Sequence, residues 1–132
     1  MTGLCIAGAG KTIWLAVAAF TLSWTHSVER TSWEEDWKIT AAGLQLVEAR
    51  IRGSGAGMEP PATARLEGGW WVYSPGLPPQ PEVVLAASGA TGQGWKICGG
   101  GDCVEVGAAA GGPLRLRACR PADFDRSSVT TE

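Results

Sequence analysis

The 132-residue chain has a single histidine, His26, and that scarcity removes several chemistries at once. Structural zinc needs two cysteine pairs or two histidines, and neither set is present in a zinc spacing. Ser27 follows His26 directly. Consecutive strand residues face opposite ways, so the two cannot work as nucleophile and base. No catalytic residue, metal or cofactor is therefore expected. Positive charge is not in excess either. A formal charge of -2 and a pI near 5.4 argue against nucleic acid as a partner, because phosphate binding needs a basic surface. Long apolar runs are missing. The stretch Ile13 to Phe20 is far short of the roughly 20 residues that span a bilayer, so direct membrane insertion is not expected. Few segments hold a 3.6-residue apolar period, which leaves little room for helices.

The N-terminal region needs separate readings. Lys11 followed by an apolar run and Ala16-Val17-Ala18 has the outline of a secretory signal. Cleavage there would strip residues directly beside the strand that begins at Phe20, so the run reads as mature strand. GAGKT (Gly8 to Thr12) has the end of a phosphate-binding loop. The glycine required five positions before Gly10 is Cys5, and IWLAV after it reads as strand, so nucleotide binding is rejected.

Nineteen glycines and seven tryptophans stand out among what is present. Glycines at this density mark turns and bulges. Indoles bury large area and suit the core and rim of a β-sandwich. Apolar alternation places short strands at Leu4 to Ala7, Thr12 to Val17, Phe20 to Val28, Trp33 to Ile39 and Leu44 to Arg52. Further runs follow at Ala62 to Leu66, Trp70 to Tyr73, Val83 to Ala87, Trp95 to Cys98, Cys103 to Val106 and Leu114 to Ala118. Leu44 to Arg52 changes apolar phase midway, and a β-bulge near Leu46-Val47 reconciles the halves; a helical turn is the competing reading. The Pro-rich stretch Pro75 to Pro81 reads as an extended crossover between sheets. The pattern predicts an all-β fold: a single β-sandwich, or flattened barrel, of about nine short antiparallel strands. It spans residues 1–119, with a disordered polar tail at 120–132.

The segment Phe20 to Thr40 predicts a hairpin. Pairing Trp24 with Trp37 sets Leu22 against Ile39, His26 against Glu35 and Val28 against Trp33, with Glu29 to Ser32 as the tip. His26 and Glu35 then lie side by side among tryptophans, where the carboxylate favours the charged imidazole. This pair serves as a structural contact, a ligand contact or an acid–base couple. Glu34 falls on the opposite face and reads as solvated. Arg52 opens into the glycine-rich run Gly53, Gly55, Gly57. An arginine beside glycine backbone N–H groups suits a carboxylate or other anion, unless Arg52 pairs with Glu59 across its own loop. His26, Glu35, Arg52, Glu59 and the three glycines are the candidate ligand-binding set. Cys98 and Cys103 bracket a GGGD turn that sets them across a hairpin. An oxidising compartment allows a disulfide there, and a reducing one leaves two small buried thiols.

WTHSVERTSWEEDW (Trp24 to Trp37), EARIRGSGAGMEPP (Glu48 to Pro61), GWWVYSPGLPP (Gly69 to Pro79) and ICGGGDC (Ile97 to Cys103) resemble the small bacterial family catalogued as domain of unknown function 1850. The likeness runs from about Leu4 to Cys119. It implies association with tripartite ATP-independent periplasmic (TRAP) transporters of the type with TAXI solute-binding proteins. It also implies an accessory role in uptake of small organic anions. The expected function is thus a non-enzymatic accessory protein that binds a transporter permease, a solute-binding protein or a small carboxylate. The alternatives are a small enzyme using the His26/Glu35 pair and a structural interaction module whose tryptophans pack a partner. The lack of a convincing signal favours the cytoplasm; the paired cysteines favour the periplasm.

Overall fold

A computed structural model of the chain describes residues 2–8, 10–26, 31–52, 62–87 and 94–120; of His26 it describes the backbone. The described residues form eleven strands and no helix. In chain order these are β1 (Gly3–Gly8), β2 (Lys11–Leu15), β3 (Ala19–His26), β4 (Thr31–Thr40), β5 (Gly43–Arg52) and β6 (Arg65–Glu67). Then come β7 (Trp70–Tyr73), β8 (Val83–Ala87), β9 (Trp95–Gly99), β10 (Asp102–Val106) and β11 (Gly111–Cys119). They make two antiparallel sheets, ordered β2-β1-β11-β8 and β10-β9-β3-β4-β5-β7-β6. The architecture is a sandwich and is not closed into a barrel, with eleven strands where about nine were expected. Each of the eleven corresponds to one of the strand-like runs marked in the sequence, and the three-residue β6 and the five-residue β10 form the two edges of the larger sheet. Of the proposed tail at 120–132, Arg120 is described and residues 121–132 lie outside the described residues. No helix among the described residues is long and apolar enough to cross a membrane.

Alternation decides what each strand buries. Leu4 and Ile6 of β1, and Leu114 and Leu116 of β11, face Phe20, Leu22, Trp37, Leu44, Leu46 and Ile97 of the larger sheet. Each fully buried leucine contributes roughly 1.5–3 kcal/mol. Trp37 is buried, and the other six tryptophans are half-buried. Trp24 stacks on Trp33 with ring centroids 5.1 Å apart, and Trp95 tilts against Trp24 at 4.5 Å. Aromatic pairs of this kind add about 0.5–1.5 kcal/mol beyond their buried area.

The phase change in β5 is a bulge. Asp36 pairs with Glu48 and Trp37 with Leu46, leaving Val47 unpaired and exposed. One extra residue on β5 lets Leu44 and Leu46 share a face with Ala49 and Ile51, which are also buried. The Pro-rich stretch does carry the chain between sheets, from β7 to β8. On the way Gln80 exchanges backbone hydrogen bonds with Leu44 at 2.8 and 2.7 Å. Gly43 permits that approach: its φ is +132°, and a Cβ there would run into the Gln80 carbonyl.

Two disulfides use all four cysteines. Cys98 and Cys103 are direct partners across the β9–β10 hairpin. Cys5 joins Cys119, which ties β1 to β11 over a sequence separation of 114 residues.

Candidate functional site

The β3–β4 hairpin forms in a register four residues from the expected one. Trp24 opposes Trp33, Phe20 opposes Trp37, Leu22 opposes Glu35 and His26 opposes Thr31. Glu35 is therefore level with Leu22, four residues along β3 from His26, or about 13 Å at the usual strand rise. The expected cross-strand pairing of His26 with Glu35 does not form. The reason is aromatic packing: the observed register stacks Trp24 on Trp33 and Phe20 on Trp37, the latter at 6.3 Å. The slip is even in residue number, so the inward-facing set is unchanged.

Glu35 does lie on the inner face, between Trp33 and Trp37 on its own strand. Its row across the larger sheet reads Ile97, Leu22, Glu35, Ala49, Tyr73. Burial raises its pKa above the ordinary carboxylate value, and a 3.1 Å hydrogen bond donated by the Trp37 indole N–H opposes that rise. Burial also raises the Tyr73 phenol, with a further contribution from the Glu35 charge. The Trp37 contact was legible in the alternation, since residues two apart on a strand share a face. Tyr73 was not, because β7 reaches Glu35 only through the intervening β5.

Arg52 and Glu35 occupy opposite faces of the sheet. Glu35 is level with Ala49, and Arg52 is three residues further on, directed outward with Arg50. The single polar end that would gather Glu35 and Arg52 is thus divided by the sheet itself. Gly53, Gly55, Gly57 and Glu59 lie outside the described residues, as does any pairing of Arg52 with Glu59. The two outward arginines differ sharply. Arg50 is held by three carboxylates: Glu34 at 3.0 Å, Glu48 at 2.6 Å and Asp36 through a two-pronged contact at 2.7 and 3.0 Å. Glu34, expected to be solvated, is engaged in this network. Hydrogen bonding to Arg50 lowers the Asp36 pKa, and the carboxylates raise the Arg50 pKa in turn.

Arg52 makes no ion pair among the described residues and is exposed. Its guanidinium carbon lies 5.7 Å from the centroid of the Trp70 ring. Trp70 follows the two-residue turn Gly68-Gly69, whose φ values of +58° and +88° suit the tight hairpin joining β6 to β7. A guanidinium laid on an indole keeps its N–H edge free for an anion. The sequence reading missed Trp70 here, because nothing local to Arg52 shows which strand follows β5 in the sheet. Among the described residues there is no cluster of three or more metal-ligating side chains.

The family described as Domain of unknown function (DUF1850) matches residues 20–106, more than half of the chain. The chain belongs to this family. The family's matched region contains the strands of the larger sheet, apart from Ala19 at the start of β3, and β8 of the smaller one. It leaves out β1, β2 and β11. Glu35, Arg50, Arg52 and Trp70 all fall within it. No curated protein and no solved structure matches the chain.

Proposed function

We propose that this protein is a non-enzymatic accessory component of a TRAP-type transporter system of the TAXI class, and that it binds a small organic anion at Arg52. The observation that carries the binding half is the Arg52–Trp70 pair: an exposed guanidinium, unpaired among the described residues and propped on an indole, on the residue that precedes the glycine-rich run in the sequence. Arg50 is not available for the task, because Glu34, Asp36 and Glu48 already hold it. The transporter half rests on the likeness of the four motifs quoted above. The acid–base enzyme is disfavoured by the four-residue separation of His26 from Glu35 along β3. Two disulfides that take up all four cysteines favour an oxidising compartment, so this reading places the protein in the periplasm rather than the cytoplasm.

Calorimetry with a panel of dicarboxylates tests the ligand. Arg52→Ala is expected to weaken binding about tenfold or more, the loss of a charge-assisted hydrogen bond. No heat from any member, or equal binding by the variant, removes the anion reading. Co-purification with the permease or the solute-binding protein, from membranes and from detergent, tests the transporter assignment.

A further inference from the structure

The two sheets part at one side of the sandwich, where β2 ends the smaller sheet and β10 ends the larger. No strand ladder joins them there. A cavity of about 220 Å3 opens between them, lined by Ile6, Ile13, Val106 and Leu114, with Lys11 and Glu105 at the rim. Gly8 and Gly107 complete the wall. Leu114 is seated between these glycines, and a Cβ on either would run into one of its methyl groups. The floor is thus apolar and closely packed.

The two rim charges are not equivalent. On β2, Ile13 opposes Ile6 and Lys11 opposes Gly8. Lys11 therefore belongs to the same inward-facing set as Ile13, and its ammonium is carried on a flexible four-carbon stem that can reach over the mouth. Glu105 pairs across the hairpin with Lys96. It belongs to the outward-facing set, between the inward Val104 and Val106. Lys11 makes no ion pair among the described residues. The cavity therefore combines an apolar floor with an inward-facing ammonium at its edge, while Glu105, likewise without an ion pair among the described residues, sits on the outward face of β10. It is smaller than the ~300 Å3 at which pockets for drug-sized ligands begin.

We propose that this mouth between β2 and β10 binds a short apolar monocarboxylate, with the hydrocarbon on Ile6, Ile13, Val106 and Leu114 and the carboxylate on Lys11. The site is independent of Arg52, which lies toward the opposite edge of the larger sheet. A dicarboxylate suits it poorly, since the second charge would have to enter the apolar floor.

Titration of the intact protein with isovalerate and hexanoate, followed by methyl and amide NMR shifts, tests the assignment. Shifts are expected at Ile6, Ile13, Val106 and Leu114. Lys11→Ala is expected to weaken binding about tenfold, and isoamylamine is expected not to bind. Arg52→Ala should leave isovalerate binding unchanged, which separates this site from the dicarboxylate site proposed above. Ile13→Trp should fill the mouth and abolish binding. The proposal is overturned if neither acid shifts these residues at millimolar concentration. It is equally overturned if isoamyl alcohol binds as well as isovalerate and Lys11→Ala changes nothing.

Discussion

The indole N–H of Trp37 donates to the Glu35 carboxylate at 3.1 Å, within one strand and on the buried side of the sheet. A carboxylate in this position is desolvated by Leu22 and Ala49 across the neighbouring strands, and one hydrogen bond does not compensate for it. The folded protein therefore holds the Glu35 proton more tightly than the unfolded chain does.

That difference sets the sign of a pH effect. With a folded pKa above the ordinary 4.5, the native state binds more protons than the unfolded state between the two values. Stability from this group falls as pH rises through that window and stays lowered above it. Glu35→Gln keeps an oxygen for the Trp37 N–H and removes the charge. The variant is expected to be more stable than the parent at pH 7 and to match it more closely near pH 4. Urea unfolding at the two pH values measures this; a variant less stable at pH 7 would contradict it.

Asp36 contributes with the opposite sign. Arg50 holds its pKa below the ordinary 3.8, so its stabilisation is complete above that value and is lost as pH falls through the folded pKa. Arg50→Met removes the shared partner of Glu34, Asp36 and Glu48 and leaves three like charges close together. The expected loss is about 2 kcal/mol, kept modest because the three carboxylates are each at least a third exposed. Added salt should recover part of it by screening. Chemical denaturation at low and high salt is the measurement, and an unchanged midpoint would show the network to be energetically idle.

Deletion of Val47 tests the bulge. Without it, Leu46 and Glu48 become consecutive opposite Trp37 and Asp36, and Leu44, Leu46, Ala49 and Ile51 alternate onto one face of a regular strand. The deletion is therefore expected to keep cooperative unfolding, with stability changed by no more than about 1–2 kcal/mol. Val47→Thr, at the same exposed position, should change stability by about 0.5 kcal/mol or less. Thermal melts followed by near-ultraviolet circular dichroism measure both, and loss of the cooperative transition in the deletion would contradict the bulge assignment.

The two disulfides should differ in weight. Cys5–Cys119 encloses a loop separated by 114 residues and Cys98–Cys103 a loop separated by 5. Loop-closure entropy assigns about 4–5 kcal/mol to the long loop and about 2 kcal/mol to the short one. The double variant Cys5→Ser/Cys119→Ser is expected to lower Tm more than Cys98→Ser/Cys103→Ser does. Equal losses would show that the entropy of the unfolded chain is not what the long-range bond acts on.

Sequence alone determined which way residues face. Alternation is local: it follows from the pleat, and it needs no knowledge of the partner strand. Trp24, Trp33, Glu35 and Trp37 were therefore assigned to one side correctly, and the disrupted phase of LQLVEARIR announced the bulge at Val47. The all-β class followed from the same signal. Tertiary structure decided which residue stands opposite which. A slip of four keeps every inward residue inward, and both registers leave four residues for the tip, so hydrophobic pattern cannot choose between them. Ring stacking chose, placing Trp24 on Trp33 and parting Glu35 from the level of His26. Strand order was equally beyond local signals. It brought Trp70 beneath Arg52, Tyr73 near Glu35, Cys119 to Cys5, and the edges of β2 and β10 together around an apolar cavity. Those neighbours come from distant parts of the chain, and only the packing of two whole sheets brings them together.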